Sequence, residues 1–451
     1  MFSAVIRAFR TADLRNKLLF TLAIVAIYRL GSFIPAPNVD FSAVRQCLDL
    51  ASAASSSGSA SGPSQLYQLV NLFSGGALLQ LSVFALGIMP YITASIITQL
   101  LRVVIPRFET LHQEGQAGQA KLTQYTRYLT IALAILQSTT LVSVARTPGA
   151  MFGSGCSVGL LSNTDAFSVL LMVIVMTAGT GLIMWMGELI TERGIGNGMS
   201  LLIFTSIASR FPDSIVQVWN SDAKSGPEKT LMVIGIGIVI VALVIMVEQS
   251  QRRIPVQYAK RMVGRREYGG QSTYIPIKVN MAGVVPVIFA SSLLYLPALI
   301  AQFNQPDKAT GQVAPWVSWV SEYLTKGDHP LYMAMYFLLI LGFTYFYVAI
   351  TFNPQEVSDN MKQYGGFIPG IRAGRPTTEF LEYVLSRITL PGSIYLGLIA
   401  LIPLIAFSFL GTSQNFPFGG TSILIIVGVG LESVKQINAQ MQERNYEGLL
   451  K

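Results

Sequence analysis

The stretch TLMVIGIGIVIVALVIMVE (230–248) carries no charged side chain before its last residue. An α-helix needs about 20 predominantly apolar residues to cross the hydrocarbon core of a bilayer. Because the apolar residues continue around every face of such a helix, a position at the surface of a water-soluble protein is excluded. The stretch therefore predicts a transmembrane helix and places the chain among membrane proteins.

Nine further runs of similar character occur along the 451 residues, of which 51% are hydrophobic and only 12% charged. Soluble domains usually carry about 25% charged residues. Pro90 and Pro286 fall within two runs, where we expect neighbouring helices to satisfy the freed carbonyl groups. With the opening stretch, the predicted spans are 18–35, 81–104, 128–146, 166–189, 197–212, 230–248, 280–300, 331–351, 388–410 and 420–437.

Lysine and arginine are distributed unevenly between the two sides that these spans define. If the amino terminus is cytoplasmic, 23 of the 31 basic residues face the cytoplasm. Cytoplasmic loops are enriched in basic residues, so we expect both termini there. The net charge of +8 then fits anionic lipid headgroups better than nucleic acid. The amino-terminal segment lacks a small-residue cleavage site, so we expect no cleaved signal peptide.

A short apolar segment follows a linker of small residues at 51–64. Leu66, Leu69, Val70 and Phe73 have helical spacing, which predicts a half-length helix over 65–74. Ten helical residues cover only about 15 Å and cannot span a membrane. A re-entrant element that blocks a pore and a helix lying in the outer interface are equally compatible with this spacing.

Two predicted cytoplasmic loops, 248–280 and 353–387, are long for links between helices. The first alternates as β-strands do on both sides of Gly264–Arg265–Arg266, which predicts a hairpin. The second contains IPGIRAGRPT (368–377), where proline and glycine predict a turn that displays Arg372 and Arg375. Ordinary basic loops would explain the charge but not the length, so we favour docking surfaces for an anionic partner.

Apolar side chains recur at helical spacing within two spans. Ile88, Ile92 and Ile96 lie four residues apart in the second span, and Met199 and Ile203 lie four apart in the fifth. Packing against neighbouring helices or lipid is the simpler interpretation. The alternative is an apolar constriction, which excludes ions because water leaves it.

No motif for catalysis, a metal or a cofactor is evident, so we expect none of these and no enzyme activity. The sequence has no GxxxxGK[ST] loop, no HExxH and no CxxC. Cys47 and Cys156 fall in predicted outer loops; a disulfide is open to them, but unpaired thiols are favoured. A secondary transporter or flippase would need ionisable groups at mid-depth, and these are scarce. A structural scaffold would leave 65–74 unexplained.

Several long blocks closely resemble the SecY family of bacterial protein-translocation channels. The resemblance runs from Arg15 to the carboxy-terminal tail, whose MQERNYEGLLK (441–451) is similar to actinobacterial members. The blocks are FSGGALLQLSVFALGIMPYITASIITQLL (73–101), WMGELITERGIGNGMSLLIF (185–204), QRRIPVQYAKR (251–261), QSTYIPIKVNMAGVVPVIFASS (271–292), FNPQEVSDNMKQYGGFIPGIRAGRPT (352–377) and FGGTSILI (418–425).

The resemblance implies an all-α polytopic membrane protein with ten transmembrane helices in two pseudo-symmetric halves around a central pore. It implies an amino-terminal half over 1–212, a carboxy-terminal half over 213–437 and a cytoplasmic tail over 438–451. The segment 65–74 would be a re-entrant plug helix, with Leu66, Leu69, Val70, Asn71 and Phe73 as its residues. The pore ring would consist of Ile88, Ile92, Met199, Ile203, Ile288 and Ile425, with methionine at 199 where isoleucine is common.

The resemblance also implies function and partners. The chain would be the central subunit of the Sec translocon in a bacterial cytoplasmic membrane, passing unfolded preproteins across and releasing membrane helices sideways. Signal sequences would enter a lateral gate between the second and seventh spans, which hold Pro90 and Pro286. The implied partners are SecE, SecG, the motor ATPase SecA, the ribosome, anionic lipids and, more remotely, SecDF and YidC. Docking would use Arg252, Arg253, Lys260, Arg261, Arg265, Arg266, Arg372 and Arg375.

Overall fold

A computed structural model describes most of the chain. The described residues are 11–47, 74–146, 159–163, 165–220, 226–258, 261–263, 266–268, 272–303, 315–324, 329–410 and 420–447. The predicted plug helix lies outside them apart from Ser74, as do Leu66, Leu69, Val70, Asn71 and Phe73.

The described part of the chain is predominantly helical, as the long apolar runs require. From the amino terminus to the first long loop, the helices are α1 (Ala12–Gly31), α2 (Met89–Val104), α3 (Pro106–Gln113), α4 (Gln116–Ala145), α5 (Ala166–Arg193), α6 (Gly198–Ala208), α7 (Phe211–Asn220) and α8 (Gly226–Gln249). After that loop, the helices are α9 (Val285–Phe303), α10 (Pro315–Tyr323), α11 (Pro330–Thr351), α12 (Pro354–Gln363), α13 (Arg375–Leu410) and α14 (Gly420–Glu447).

A helix overlaps each of the ten predicted spans, but several bounds differ from the prediction. Among the described residues, six helical stretches are long and apolar enough to cross a membrane: 116–145, 166–193, 230–249, 330–363, 375–402 and 422–441. The helix in the fifth predicted span, α6, has only 11 residues. The chain is thus a helical, multi-pass membrane protein, while the number of ten crossings stays a prediction.

The start of the second predicted span is not helical. Residues 74–88 form consecutive turns, and α2 begins only at Met89. The backbone of this segment pairs with the chain beyond α1: the N–H of Val83 donates to the carbonyl of Ile34 (2.9 Å) and that of Ala36 to Leu81 (2.9 Å). These bonds satisfy backbone groups that a helix would otherwise satisfy, so turns are tolerated at a buried position.

The two long loops share one small sheet. The hairpin predicted for 248–280 is present: β1 (Gln251–Tyr258) pairs antiparallel with β4 (Ser272–Lys278), with Ile254 opposite Ile275. A second short pair, β2 (Arg261–Val263) and β3 (Arg266–Tyr268), lies between them in the chain. The strand β5 (Gly366–Phe367) of the other loop pairs with the free edge of β1, which gives the order β4-β1-β5.

The second loop is more ordered than a turn with two flanking links. It contains α12, and α13 begins at Arg375, so residues 375–387 are helical. Buried side chains from β1, β4, α12 and α13, among them Ile254, Ile277, Met361 and Leu381, form one apolar core beneath the sheet. We call the two sheets, the loop at 364–374 and Arg375 at the start of α13 the platform.

Two further expectations can be compared with the structure. The predicted boundary between residues 212 and 213 falls inside α7. The preference for unpaired thiols is wrong for Cys47, which is disulfide-bonded and fully buried against the ends of α4 and α5. The chain's other cysteine, Cys156, lies outside the described residues. Sequence spacing carries no information on which distant residues lie close together, so the disulfide state of Cys47 could not be deduced from it.

Candidate functional site

The six residues of the predicted ring lie together in one apolar cluster. We call Ile88, Ile92, Met199, Ile203, Ile288 and Ile425 the waist cluster. Ile92 is partly buried, and the others are at most 9% exposed. They come from four elements, α2, α6, α9 and α14, separated by up to several hundred residues in sequence. Apolar packing alone joins these elements here, because no member has a polar side-chain group.

The first two members flank the start of α2. Ile88 is the N-cap residue, and the N–H of Ile92 donates to its carbonyl (3.1 Å). Gly87 adopts φ +57°, a left-handed conformation that suits glycine and turns the chain into the helix. Pro90 therefore lies in the first helical turn, not mid-helix as expected, and Pro286 likewise follows the first residue of α9. Neither removes an intrahelical hydrogen bond, so no compensation by neighbouring helices is needed.

The next two members belong to α6, whose start is fixed by polar side chains. The Asn197 Oδ1 accepts from the N–H of Met199 (3.1 Å) and of Ser200 (3.4 Å). This N-cap satisfies two of the backbone donors that every helix start leaves free. Met199 and Ile203 then follow one turn apart on the buried face, at 9% and 6% exposure.

The last two members come from the carboxy-terminal part of the chain. Ile288 lies in the first turn of α9, and its N–H donates to the carbonyl of Val284 (3.3 Å). Ile425 lies in α14 and is 1% exposed. The helices α6 and α14 pack against each other, and α2 contacts α9. The waist cluster is thus the place where the elements before and after α7 meet.

Polar contacts border the waist cluster on the side of the predicted plug. The hydroxyl groups of Tyr28 and Ser206 are 2.6 Å apart, which joins α1 to α6. The Arg29 guanidinium donates to the carbonyl of Gly75 (2.7 Å), one residue beyond the predicted plug helix. These contacts restrain the backbone at Gly75, directly after the predicted plug.

The platform displays the predicted docking residues that the structure describes. The side chains of Arg252, Arg253, Arg372 and Arg375 are exposed. Arg253 lies over the Tyr274 ring at 4.9 Å from its centroid. Arg261 and Arg266 are in β2 and β3, whereas Lys260 and Arg265 lie outside the described residues.

Arg372, within the 364–374 loop, and Arg375, directly after it, differ in their contacts. Arg375 pairs with Glu379 through an Nε–Oε1 distance of 3.1 Å. The Arg372 guanidinium has no hydrogen bond or ion pair within the described ranges, although its carbonyl accepts from the Thr377 hydroxyl (2.9 Å). Gly370 and Gly374 flank it at φ +86° and +104°. The backbone at Arg372 is therefore fixed by the turn, while the exposed guanidinium group can contact a partner.

Sequence reasoning missed the residues that enclose the waist cluster. The larger apolar cluster that contains the six waist residues also contains Tyr28, Phe84, Ile183, Met186 and Ile190. Tyr28 stacks on Phe84 at 5.9 Å between ring centroids. The buried positions of α5 recur three or four residues apart, which is a detectable signal. The helices that pack against α5 could not be identified in this way, because periodicity shows which face of a helix is buried but not which element covers that face.

Comparison with known proteins identifies the family. The SecY family model matches residues 82–434. The chain is 63% identical over its full length to the protein translocase subunit SecY of Streptomyces galbus and 61% identical to that of Micrococcus luteus, covering 100% of each. The chain belongs to the SecY family. Members of this family are the central, protein-conducting channel subunits of the Sec translocon.

Solved structures show the same fold at much lower identity. The chain resembles a protein-conducting channel with a TM-score of 0.58 at 17% identity, covering 94% of this chain and 92% of the other. It resembles Sec61 in the canine ribosome–channel complex with a TM-score of 0.56 at 16% identity, with the same coverage. Mycobacterium tuberculosis SecY is 57% identical over 453 residues, so the actinobacterial resemblance of the tail extends to the whole chain.

Proposed function

We propose that the waist cluster is the constriction through which this SecY-family subunit passes unfolded polypeptides. One observation carries the proposal: six apolar side chains from four distant helices converge in a single cluster. The lateral release of membrane helices between α2 and α9, and the assignment of 1–212 and 213–437 as two halves, belong to the same proposal.

An apolar constriction can be selective without binding its cargo. Small ions keep their hydration shells in water, and an apolar narrowing offers no polar ligand to replace them, so they are excluded. A polypeptide chain can pass because dispersion contacts with isoleucine and methionine have no preferred direction. The constriction therefore accepts side chains of every type, as a general protein channel must.

We propose that α2 and α9 form the gate for signal sequences. These helices touch, and Pro90 and Pro286 each follow the first residue of their helix. An apolar signal helix gains free energy by lying between the gate helices and lipid. Because it binds only the open arrangement, it shifts the equilibrium towards opening and displaces the plug at 65–74.

The platform is the proposed docking surface for cytoplasmic partners. The relative from the canine structure is a channel bound to a ribosome, and ribosomal RNA is an anionic surface of the kind that exposed arginines recognise. The motor ATPase SecA would use the same surface. The other proposed partners are SecE, SecG, signal sequences, preproteins, anionic lipids and, more remotely, SecDF and YidC. The proposed location is a bacterial cytoplasmic membrane, with both termini in the cytoplasm.

A test is the resting ion leak of the Ile92→Ser and Ile203→Ser double variant in proteoliposomes. Hydroxyl groups would hold water in the constriction, so we expect the leak to rise by about tenfold, in proportion to a barrier lowered by ~1.4 kcal/mol. Leu136→Ser is the matched control, because Leu136 is 64% exposed on α4. An unchanged leak in the double variant, with normal assembly, would contradict the proposed constriction.

A further inference from the structure

The member of the waist cluster with the most flexible side chain, Met199, faces a recess on α5. The recess exists because residue 187 is glycine. A Cβ atom placed there would lie 2.4 Å from the Met199 Sδ and 2.8 Å from its Cε. The thioether thus occupies the volume that any larger residue at 187 would take.

The backbone around the recess is held on both sides. The Thr191 hydroxyl donates to the carbonyl of Gly187 (2.9 Å) and accepts from the N–H of Gly198 (2.9 Å), so α5 and α6 are bridged next to Met199. Gly198 itself lies against the carbonyl of Gly187, where a Cβ would come within 1.9 Å. The two backbones are therefore in direct contact beside the Met199 side chain.

A third helix fixes α5 at the same level. Glu188, the residue after Gly187, accepts two hydrogen bonds from the Arg127 guanidinium of α4, at 2.8 and 2.7 Å. Such a bidentate pair restrains both position and rotation. The helix α5 is thus restrained towards both α4 and α6, whereas the Met199 side chain can change its conformation by rotation about three torsions.

From this geometry we infer that Gly187 is a positioning residue that sets the aperture of the waist by seating the Met199 thioether away from its centre. The inference rests on the proposed function of the waist cluster. Methionine alone would leave the aperture loosely defined, because its three side-chain torsions rotate readily. The recess supplies the restraint that a branched side chain would otherwise provide.

The test compares Gly187→Ala with Gly181→Ala. Both glycines lie in α5, but a Cβ at Gly181 has no neighbour within 4 Å. The added methyl group at 187 should push the thioether into the waist and slow translocation of a SecA-driven precursor by about threefold, the size of a moderate coupling between touching residues. Gly181→Ala should translocate at the normal rate.

Two further measurements distinguish displacement of the Met199 thioether from a general disturbance of the fold. Adding Met199→Ala to Gly187→Ala should restore the rate of Met199→Ala alone, because no thioether remains to be displaced. In protein labelled at the methionine methyl groups, the NMR signal that disappears in Met199→Ala should shift in Gly187→Ala and stay in place in Gly181→Ala. If Gly187→Ala fails to assemble, assembly of the double variant supports the contact, and its failure overturns it.

An unmoved methyl signal, or a slow rate that persists in the double variant, would overturn the role of Gly187. This result differs from failure of the proposed constriction. In that case the Ile92→Ser and Ile203→Ser double variant would not leak, whatever the state of the Met199 methyl group.

Discussion

The waist cluster and the platform solve opposite problems with opposite chemistry. The waist cluster is apolar, buried and assembled from four helices, so it offers no polar group that would recognise a particular side chain. The platform is charged and exposed, and an apolar core supports its three-stranded sheet beneath exposed arginines. In the proposed function, partner recognition and chain passage are therefore assigned to different places: exposed arginines of the platform bind the partners, and the apolar waist cluster excludes ions.

Glycine shows the same contrast. At the waist, Gly187 is required for space, since a side chain would meet Met199. On the platform, Gly374 has no neighbour within 4 Å of a Cβ atom but adopts φ +104°. It is required for backbone conformation, which a residue with a Cβ adopts only at a cost.

The largest effect is expected from reversing the free charge of the platform. Arg372→Glu should lower SecA-driven translocation by about tenfold, because the exposed Arg372 guanidinium, which has no ion-pair partner in the described part of the chain, is the contact that an anionic partner loses. Arg375→Glu should lower it by about twofold, since Glu379 already offsets part of that charge. The measurement is protease-protected precursor in proteoliposomes; equal effects at the two positions would contradict the distinction.

A smaller effect is expected from Gly374→Ala. The alanine must adopt a left-handed conformation costing about 1–2 kcal/mol, which should loosen the turn and the bond from the Ser358 hydroxyl to the carbonyl of residue 374. We expect the affinity for SecA to fall by about threefold, measured by binding to channels in nanodiscs. Gly430→Ala is the control, because its Cβ also has no neighbour within 4 Å and its φ is not left-handed. Equal affinities for both variants would show that the turn does not position Arg372.

The sequence predicted the helices well because lipid imposes one simple requirement. A run such as 230–248 must satisfy its backbone internally, and α8 does so over Gly226–Gln249. Helix ends were less predictable. Residues 81–88 are apolar but form turns, because Gly87 and pairing with residues 34–36 replace helical bonds.

Long-range assembly was the part that the residues alone could not supply. The spacing of Ile88 and Ile92 left packing and a constriction both open, and Ile288 and Ile425 entered only through the resemblance to the SecY family. The pairing of β5 with β1 involves only residues 366–367 and 257–258, too short a stretch to leave a pattern. The Gly187 recess depends on a contact between α5 and α6 that no periodicity encodes.

The most direct test is crosslinking of a translocating precursor to the waist. A photoreactive amino acid is placed in turn at Ile92, Ile203 and Ile425, and at the control position Leu136, which is exposed on α4. With a precursor arrested during translocation, we expect adducts at all three waist positions and none at Leu136. Absence of adducts at the waist positions, while the arrested precursor remains protease-protected, would show that the chain passes elsewhere.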